Sequence, residues 1–277
     1  MAGLFQVFFW LSRDNLVTLN ENSFEKIESL SYSPFEGYDK NLLSSEQIAY
    51  DVNLFENFTN KLRTYGTLEA YKILQSSKDS NLPIDLGLWI GGDLEENNLE
   101  IQRALDILKE YPNRIQSVIV GNEVLLRKEL EPLELYAYID FMKSHTKKPV
   151  TTAETWDIWE KNPQLASHVD FLTIHILPYW EKVPIERYNE FIIEKYSVVE
   201  ELFPNRKIVI GETGWPSHGY NNNKAVPSIK NQAQAIRGFV NLAHEKGWHY
   251  NIIEALDQPW KGYDEGNVGQ YWGIFTT

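Results

Sequence analysis

The sequence predicts an α/β chain folded as a single (β/α)8 barrel, and three observations carry that reading. From Ile27 onward, short apolar runs rich in β-branched residues alternate with amphipathic stretches. The alternation continues with no linker, low-complexity tract or motif-level repeat, and 277 residues are an ordinary length for one such barrel. Short apolar runs between turn signals read as strands covered on both faces, the condition of parallel strands in α/β folds. Strict alternation with helices closes a barrel more naturally than an open sheet.

Taken in order, strands are expected near 28–33, 62–66, 84–90, 115–121, 149–154, 170–176, 207–211 and 249–255. Helices are expected between them near 45–60, 68–78, 97–110, 132–145, 157–166, 184–203 and 229–246. Ser44 followed by Gln47 has the spacing of a capping box, and Ile48, Val52 and Phe55 then form an apolar stripe at helical steps. Ile101, Leu105 and Leu108 make another stripe, and Ile229, Ala233, Ile236, Val240 and Ala243 a third. Residues 1–26 stand apart from the barrel of 27–277. Their apolar stretch at 4–11 falls far short of the ~20 residues that span a bilayer and lacks a small-residue cleavage site after it. It turns polar at Ser12, Arg13, Asp14 and Asn15, which is compatible with the stub of a membrane anchor in a longer protein or with a buried N-terminal clasp.

Composition excludes several function classes. The chain has 26 Lys and Arg against 39 Asp and Glu, a net charge of −13, and no run of more than two basic residues, so a nucleic-acid partner is not expected. Without cysteine there is no disulfide and no thiolate metal site, which leaves the compartment unset. The histidines are not at ligand spacing and no glycine-rich phosphate loop precedes a helix, so neither a metal nor a nucleotide cofactor is expected. Aromatic residues make up 13 % of the chain, with 9 Trp and 15 Tyr. Flat rings with a polar edge suit the C–H faces and hydroxyls of a neutral sugar.

The chemistry gathers at the strand ends. Ile115 to Val120 is an apolar run that terminates in Gly121, Asn122 and Glu123, and Ile208 to Ile210 terminates in Gly211 and Glu212 before Thr213, Gly214, Trp215, Pro216 and Ser217. These carboxylates leave strands four and seven at the barrel mouth, where parallel barrels carry their active sites, and a carboxylate pair is what glycosidic cleavage requires. The same mouth should receive Tyr32, Tyr65, Trp89, Asp93, Glu154, Trp156, His175, Tyr179, Glu254, Gln258 and Trp260.

These motifs resemble the family-17 glycoside hydrolases, β-1,3-glucan-active barrels of the retaining clan that carry the acid on strand four and the nucleophile on strand seven. The segments Ser31 to Pro34, Thr173 to Glu181 and Glu254 to Lys261 are similar to a bacterial, membrane-associated branch of that family. The resemblance implies that Glu212 is the nucleophile, Glu123 the acid/base, and Asn122 a ligand of the sugar 2-hydroxyl. It also implies that His175 or Tyr179 supports the nucleophile. Tyr32, Glu154, Glu254 and Gln258 are then substrate-binding candidates, and Trp156, Trp215 and Trp260 stacking platforms. The expected activity is hydrolysis or glucanosyl transfer on β-1,3-glucan through a covalent glucosyl-enzyme. The alternatives are a strict endo-β-1,3-glucanase and a non-catalytic glucan-binding barrel. The branch implies an extracytoplasmic location, periplasmic or secreted, in a larger membrane-anchored protein. Two physical expectations accompany the mechanism: the carboxyl groups of Glu123 and Glu212 about 5–5.5 Å apart, and a Glu123 carboxyl raised above its ordinary range by burial and the neighbouring charge. An acceptor sugar would rest on Trp156, Tyr179 and Trp180.

Overall fold

The computed structural model describes residues 26–275. In chain order it contains β1 (Leu30–Ser31), β2 (Phe35–Glu36), β3 (Asn41–Leu42), α1 (Ser45–Phe55), β4 (Leu62–Arg63), α2 (Thr67–Ser76), β5 (Ile84–Leu88), α3 (Leu94–Glu110), β6 (Ile115–Asn122) and α4 (Pro132–His145). There follow β7 (Val150–Thr155), α5 (Trp156–Lys161), β8 (Leu172–His175), α6 (Tyr188–Leu202), β9 (Ile208–Thr213), α7 (Ile229–Lys246) and β10 (His249–Ile252). Strands β1, β10, β9, β8, β7, β6, β5 and β4 close into a ring, so the expected (β/α)8 barrel is formed. The expectations for residues 1–25, including the membrane-anchor stub, lie outside the described residues. Among the described residues no helix is long and apolar enough to cross a membrane.

The period-two alternation of each strand sorts its residues into two shells. Leu62, Ile84, Leu86, Val118, Val120, Leu172, Ile174, Ile208 and Ile210 are buried in the apolar layer shared with the helices. Apart from Ile119 and Val209, the interleaved residues are polar or small, and several bond across neighbouring strands: Ser117 to Asp85 at 2.6 Å, Thr151 with Thr173 at 3.2 Å, and Asn251 to the Gly211 carbonyl at 3.0 Å. A lumen of this kind can hold a charged side chain if that chain is fully bonded.

Local chemistry sets most boundaries, and the differences from expectation have local causes. Ser44 caps α1 by accepting the Gln47 N–H at 3.1 Å, but Gln47 does not complete a capping box and donates instead to Asp51 at 2.7 Å. The helix stops at Phe55 rather than near 60, where Phe58 and Thr59 turn back their N–H groups onto the Phe55 carbonyl. The expected helix over 157–166 is divided: α5 ends at Lys161 and a short 3-10 turn begins at Pro163, whose ring cannot supply the next helical donor. Between β1 and α1 the chain inserts a hairpin, β2 paired antiparallel with β3, which the sequence pattern did not indicate.

Candidate active site

The mouth of the barrel is built from the ends of β4, β6, β8 and β9. At the end of β6 the chain turns sharply, with Gly121 at φ +83 and Glu123 at φ +55. A β-carbon at position 121 would lie 2.5 Å from the Val124 side chain, so glycine is required there. The left-handed backbone of Glu123 costs about 1–2 kcal/mol and is fixed by its surroundings. Its N–H donates to the Ala153 carbonyl at 2.7 Å, and the Glu154 carboxylate accepts the Leu125 and Leu126 N–H groups at 2.7 and 3.3 Å.

His175, buried at the end of β8, lies between the two acids, with Nδ1 2.7 Å from Glu123 Oε1 and Nε2 3.6 Å from Glu212 Oε1. Arg63, on β4 and 2 % exposed, reaches across the lumen to all of them. Its guanidinium donates to Asn122 Oδ1 at 2.6 Å and to the Gly211 carbonyl at 2.5 Å, and it lies 3.3 Å from His175 Nε2 and 3.5 Å from Glu212 Oε1. Because a guanidinium only donates, Nε2 is the accepting nitrogen of His175 and Nδ1–H donates to Glu123. Gly211 makes room for this arrangement: a β-carbon there would sit 2.4 Å from Thr173 and 3.1 Å from Arg63 Nη1. One oxygen each from Glu123 and Glu212 and one nitrogen of His175 all lie within 4.8 Å of one another. Such a trio could in principle approach a cation, but the Arg63 guanidinium already supplies a fixed positive charge to it.

The protonation of Glu123 differs from expectation. Burial pushes the Glu123 carboxyl up, yet the hydrogen bond from His175 and the charges of Arg63 and Arg127 outweigh burial and hold it below the usual carboxylate range. Raised carboxyls occur instead around the pair. Burial takes Glu154 up to about 8 against the opposing Leu125 and Leu126 N–H groups. Burial takes Glu254 to about 7 despite its ion pair with Lys261, whose Nζ lies 2.8 and 2.7 Å from the two Glu254 oxygens.

Glu123, Glu212, Asn122 and His175 are thus brought together, and several other expected site residues are placed elsewhere. Tyr32 turns out of the mouth into the helix layer, donating to Asp51 at 2.8 Å with its ring edge-on to Phe55. Tyr179 is fully buried and donates its hydroxyl hydrogen to the Tyr220 carbonyl at 2.6 Å rather than to Glu212. Trp215 is fully buried between Tyr179 and Tyr188, with its indole N–H on the Val226 carbonyl at 3.0 Å. Trp156 packs outward against α6, where Lys195 lies 4.4 Å from its ring. Glu154 and Glu254 spend their oxygens on protein partners. Buried Gln258 donates to the Ser33 carbonyl at 3.0 Å and accepts the Trp260 indole N–H at 2.7 Å, and Lys40 covers one face of Trp260 at 4.3 Å. These rings and amides therefore build the walls of the site and offer the sugar little free surface.

Sequence reading missed Arg63, whose signal was a lone cation inside an otherwise buried strand. It also missed Glu265, raised to about 7 by burial and, after the opposing charge of Lys261, by the charges of Glu212 and Glu123. Only the fold brings that loop over the acids.

A family model described as the BtgE/BtgC glycoside hydrolase domain matches residues 29–273. A probable family 17 glucosidase of Saccharomyces cerevisiae is 25 % identical over 90 % of this chain, and a putative glucan endo-1,3-beta-glucosidase of Aspergillus niger is 29 % identical over 83 %. The chain spans 65 % of the yeast protein and 37 % of the Aspergillus one. Among solved structures, the fold matches a β-1,3-glucanosyltransferase of Rhizomucor miehei, an active-site mutant in complex with laminaritriose, with a TM-score of 0.82 at 24 % identity, covering 91 % of this chain and 93 % of that one. It also matches an endo-laminarinase from Formosa with a TM-score of 0.79 at 20 % identity, covering 90 % and 83 %. With a (β/α)8 barrel, paired carboxylates at its mouth and a family match across nearly the whole chain, the protein belongs to the BtgE/BtgC glycoside hydrolase domain family, among the family 17 glycosidases.

Proposed function

We propose that the chain is a retaining β-1,3-glucan-active glycosidase in which Glu212 is the nucleophile and Glu123 the acid/base. The observation that carries this reading is the approach of the two carboxylates, with oxygens within 4.8 Å of each other. Retaining pairs stand about 5–5.5 Å apart, whereas inverting pairs need roughly 6.5–9.5 Å to admit a water. In the first step a Glu212 oxygen attacks the anomeric carbon, the bond to the glycosidic oxygen breaks, and Glu123 gives that oxygen its proton. In the second, Glu123 takes a proton from water or a sugar hydroxyl, whose oxygen displaces Glu212 and restores the configuration. Asn122 Oδ1 is held by Arg63, which leaves the amide N–H groups to donate to the sugar 2-hydroxyl.

The free Glu123 is held as a carboxylate by its neighbours, so it acquires its proton as substrate arrives. Burial is already the largest single influence on it, and a sugar over its partly open side chain strengthens that influence. The relatives named as endo-1,3-beta-glucosidase, and the structural neighbours named as glucanosyltransferase and endo-laminarinase, support β-1,3-glucan as the substrate. Work outside the cytoplasm, in the periplasm or secreted and attached to a membrane through a longer chain, accompanies this proposal; fractionation of the native protein tests it. Incubation with β-1,3-gluco-oligosaccharides, read by product mass, tests the activity. Shorter products indicate hydrolysis, longer ones transfer, and an unchanged substrate refutes the reading in favour of a glucan-binding barrel.

A further inference from the structure

The inserted hairpin and the loop after β10 meet beyond the catalytic centre. In the hairpin turn, Gly37 and Lys40 have φ of +68 and +55, which folds Lys40 back so that its ammonium lies 4.9 Å from the Phe35 ring and 4.3 Å from Trp260. The same turn leaves Tyr38 beside Tyr263, their rings edge-on at 6.0 Å and 68°, with the Tyr38 hydroxyl donating to Gln270 at 3.4 Å. These two rings are 56 % and 74 % exposed. A pair of rings held in fixed relation yet left open to water gains little from packing, and an exposed aromatic cluster at a cleft rim is a mark of ligand contact.

The pair is continuous with the catalytic centre. Trp260, under Lys40, is bonded to Gln258; the adjacent Lys261 pairs with Glu254 and lies 6.0 Å from the Tyr65 ring; and Tyr65 lies 4.9 Å from Arg63. Its direction along the substrate also follows from the ring of strands. Glu123 leaves β6, and β10 stands opposite β6 in the closed barrel, with β1 next to it. The acid marks the side of the departing sugar, so the loops of β10 and β1 line the side of the sugar that stays on the enzyme.

We propose that Tyr38 and Tyr263 form a remote subsite for the non-reducing portion of a neutral β-linked glucan, setting a preference for long glycones. This rests on the glycosidase reading above and goes beyond it by naming where the far end of the chain is held. The test uses aryl β-1,3-gluco-oligosaccharides with one constant phenol leaving group and glycones of increasing length, so that only contacts on the retained side vary. For the unmodified protein kcat/KM rises with glycone length. In the double variant Tyr38→Ala, Tyr263→Ala it falls about tenfold on the longest glycone, and the rise with length is lost. Tyr50→Ala, a similarly exposed tyrosine on α1 away from this wall, keeps the full profile. A length profile unchanged in the double variant overturns the proposal. Absence of phenol release from every glycoside refutes the glycosidase reading itself.

Discussion

Replacing Glu154 with Gln should make the protein less stable in acid and more stable in base. Glu154 is fully buried at the end of β7, and its oxygens hold the Leu125 and Leu126 N–H groups that anchor the turn carrying Glu123. Burial raises its carboxyl from 4.5 to about 8, so the folded protein keeps a proton that the unfolded chain releases. The stability this group contributes is therefore fully present below about 4.5 and is lost as the pH rises to about 8, amounting to about 5 kcal/mol at most. Glutamine cannot ionise and removes that dependence. Its amide must, however, place an NH2 group where a carboxylate oxygen accepts the Leu126 N–H, a mismatch of about 1–3 kcal/mol at every pH. The two stability curves should cross between about pH 5 and pH 8. Urea denaturation across that range, compared at constant m, measures the crossing. Parallel curves would refute the argument, because they would mean that Glu154 loses its proton as readily in the folded protein as in the unfolded chain.

Arg63→Lys keeps the positive charge but cannot reach Asn122, Gly211 and Glu212 together, and loss of one or two charge-assisted bonds should lower kcat/KM by roughly 30- to 300-fold, with a smaller change in melting temperature. Substrate binding should take up about one proton near neutral pH, since the free Glu123 is held ionised and the bound enzyme needs it protonated; calorimetry in buffers of different ionisation enthalpy reads this directly, and zero uptake counts against the assigned acid. Trp156→Ala should cost about 3 kcal/mol of stability, as for a large ring removed from a packed layer, and leave the ratio of transfer to hydrolysis unchanged, because the ring faces Lys195 rather than an acceptor sugar. Chemical denaturation and product masses for that variant separate the two effects.

The legible part of the site was the part whose chemistry is written locally. A buried strand that ends in Gly and Glu states both where the carboxylate lies and which way it leaves the core, so Glu123 and Glu212 could be found without a structure. His175 likewise stands at the end of a buried strand, β8. The aromatic residues misled because a strand-end position does not fix the direction of a side chain. Tyr32, Trp156, Tyr179 and Trp215 share that position with true mouth residues, yet Tyr32, Tyr179 and Trp215 each point into an interior contact that takes up the polar atom, and the Trp156 ring lies against Lys195. Reading a wet face into a packed ring is the error that follows when sequence spacing stands in for orientation.

The sequence by itself determined the alternation of strands and helices, the closure of the barrel, and the two acids at the ends of β6 and β9, because apolar periodicity and strand termini are properties of neighbouring residues. Tertiary structure alone decided the protonation of Glu123 and the placement of Arg63, Glu265 and the Tyr38–Tyr263 pair. Arg63 is 148 residues from the Gly211 carbonyl it bonds and 112 from His175, so these contacts exist only once the barrel has closed. The Coulomb interactions that keep Glu123 ionised depend on distances of a few ångströms across the lumen, and no local pattern in the chain encodes a distance between strands that lie far apart along it.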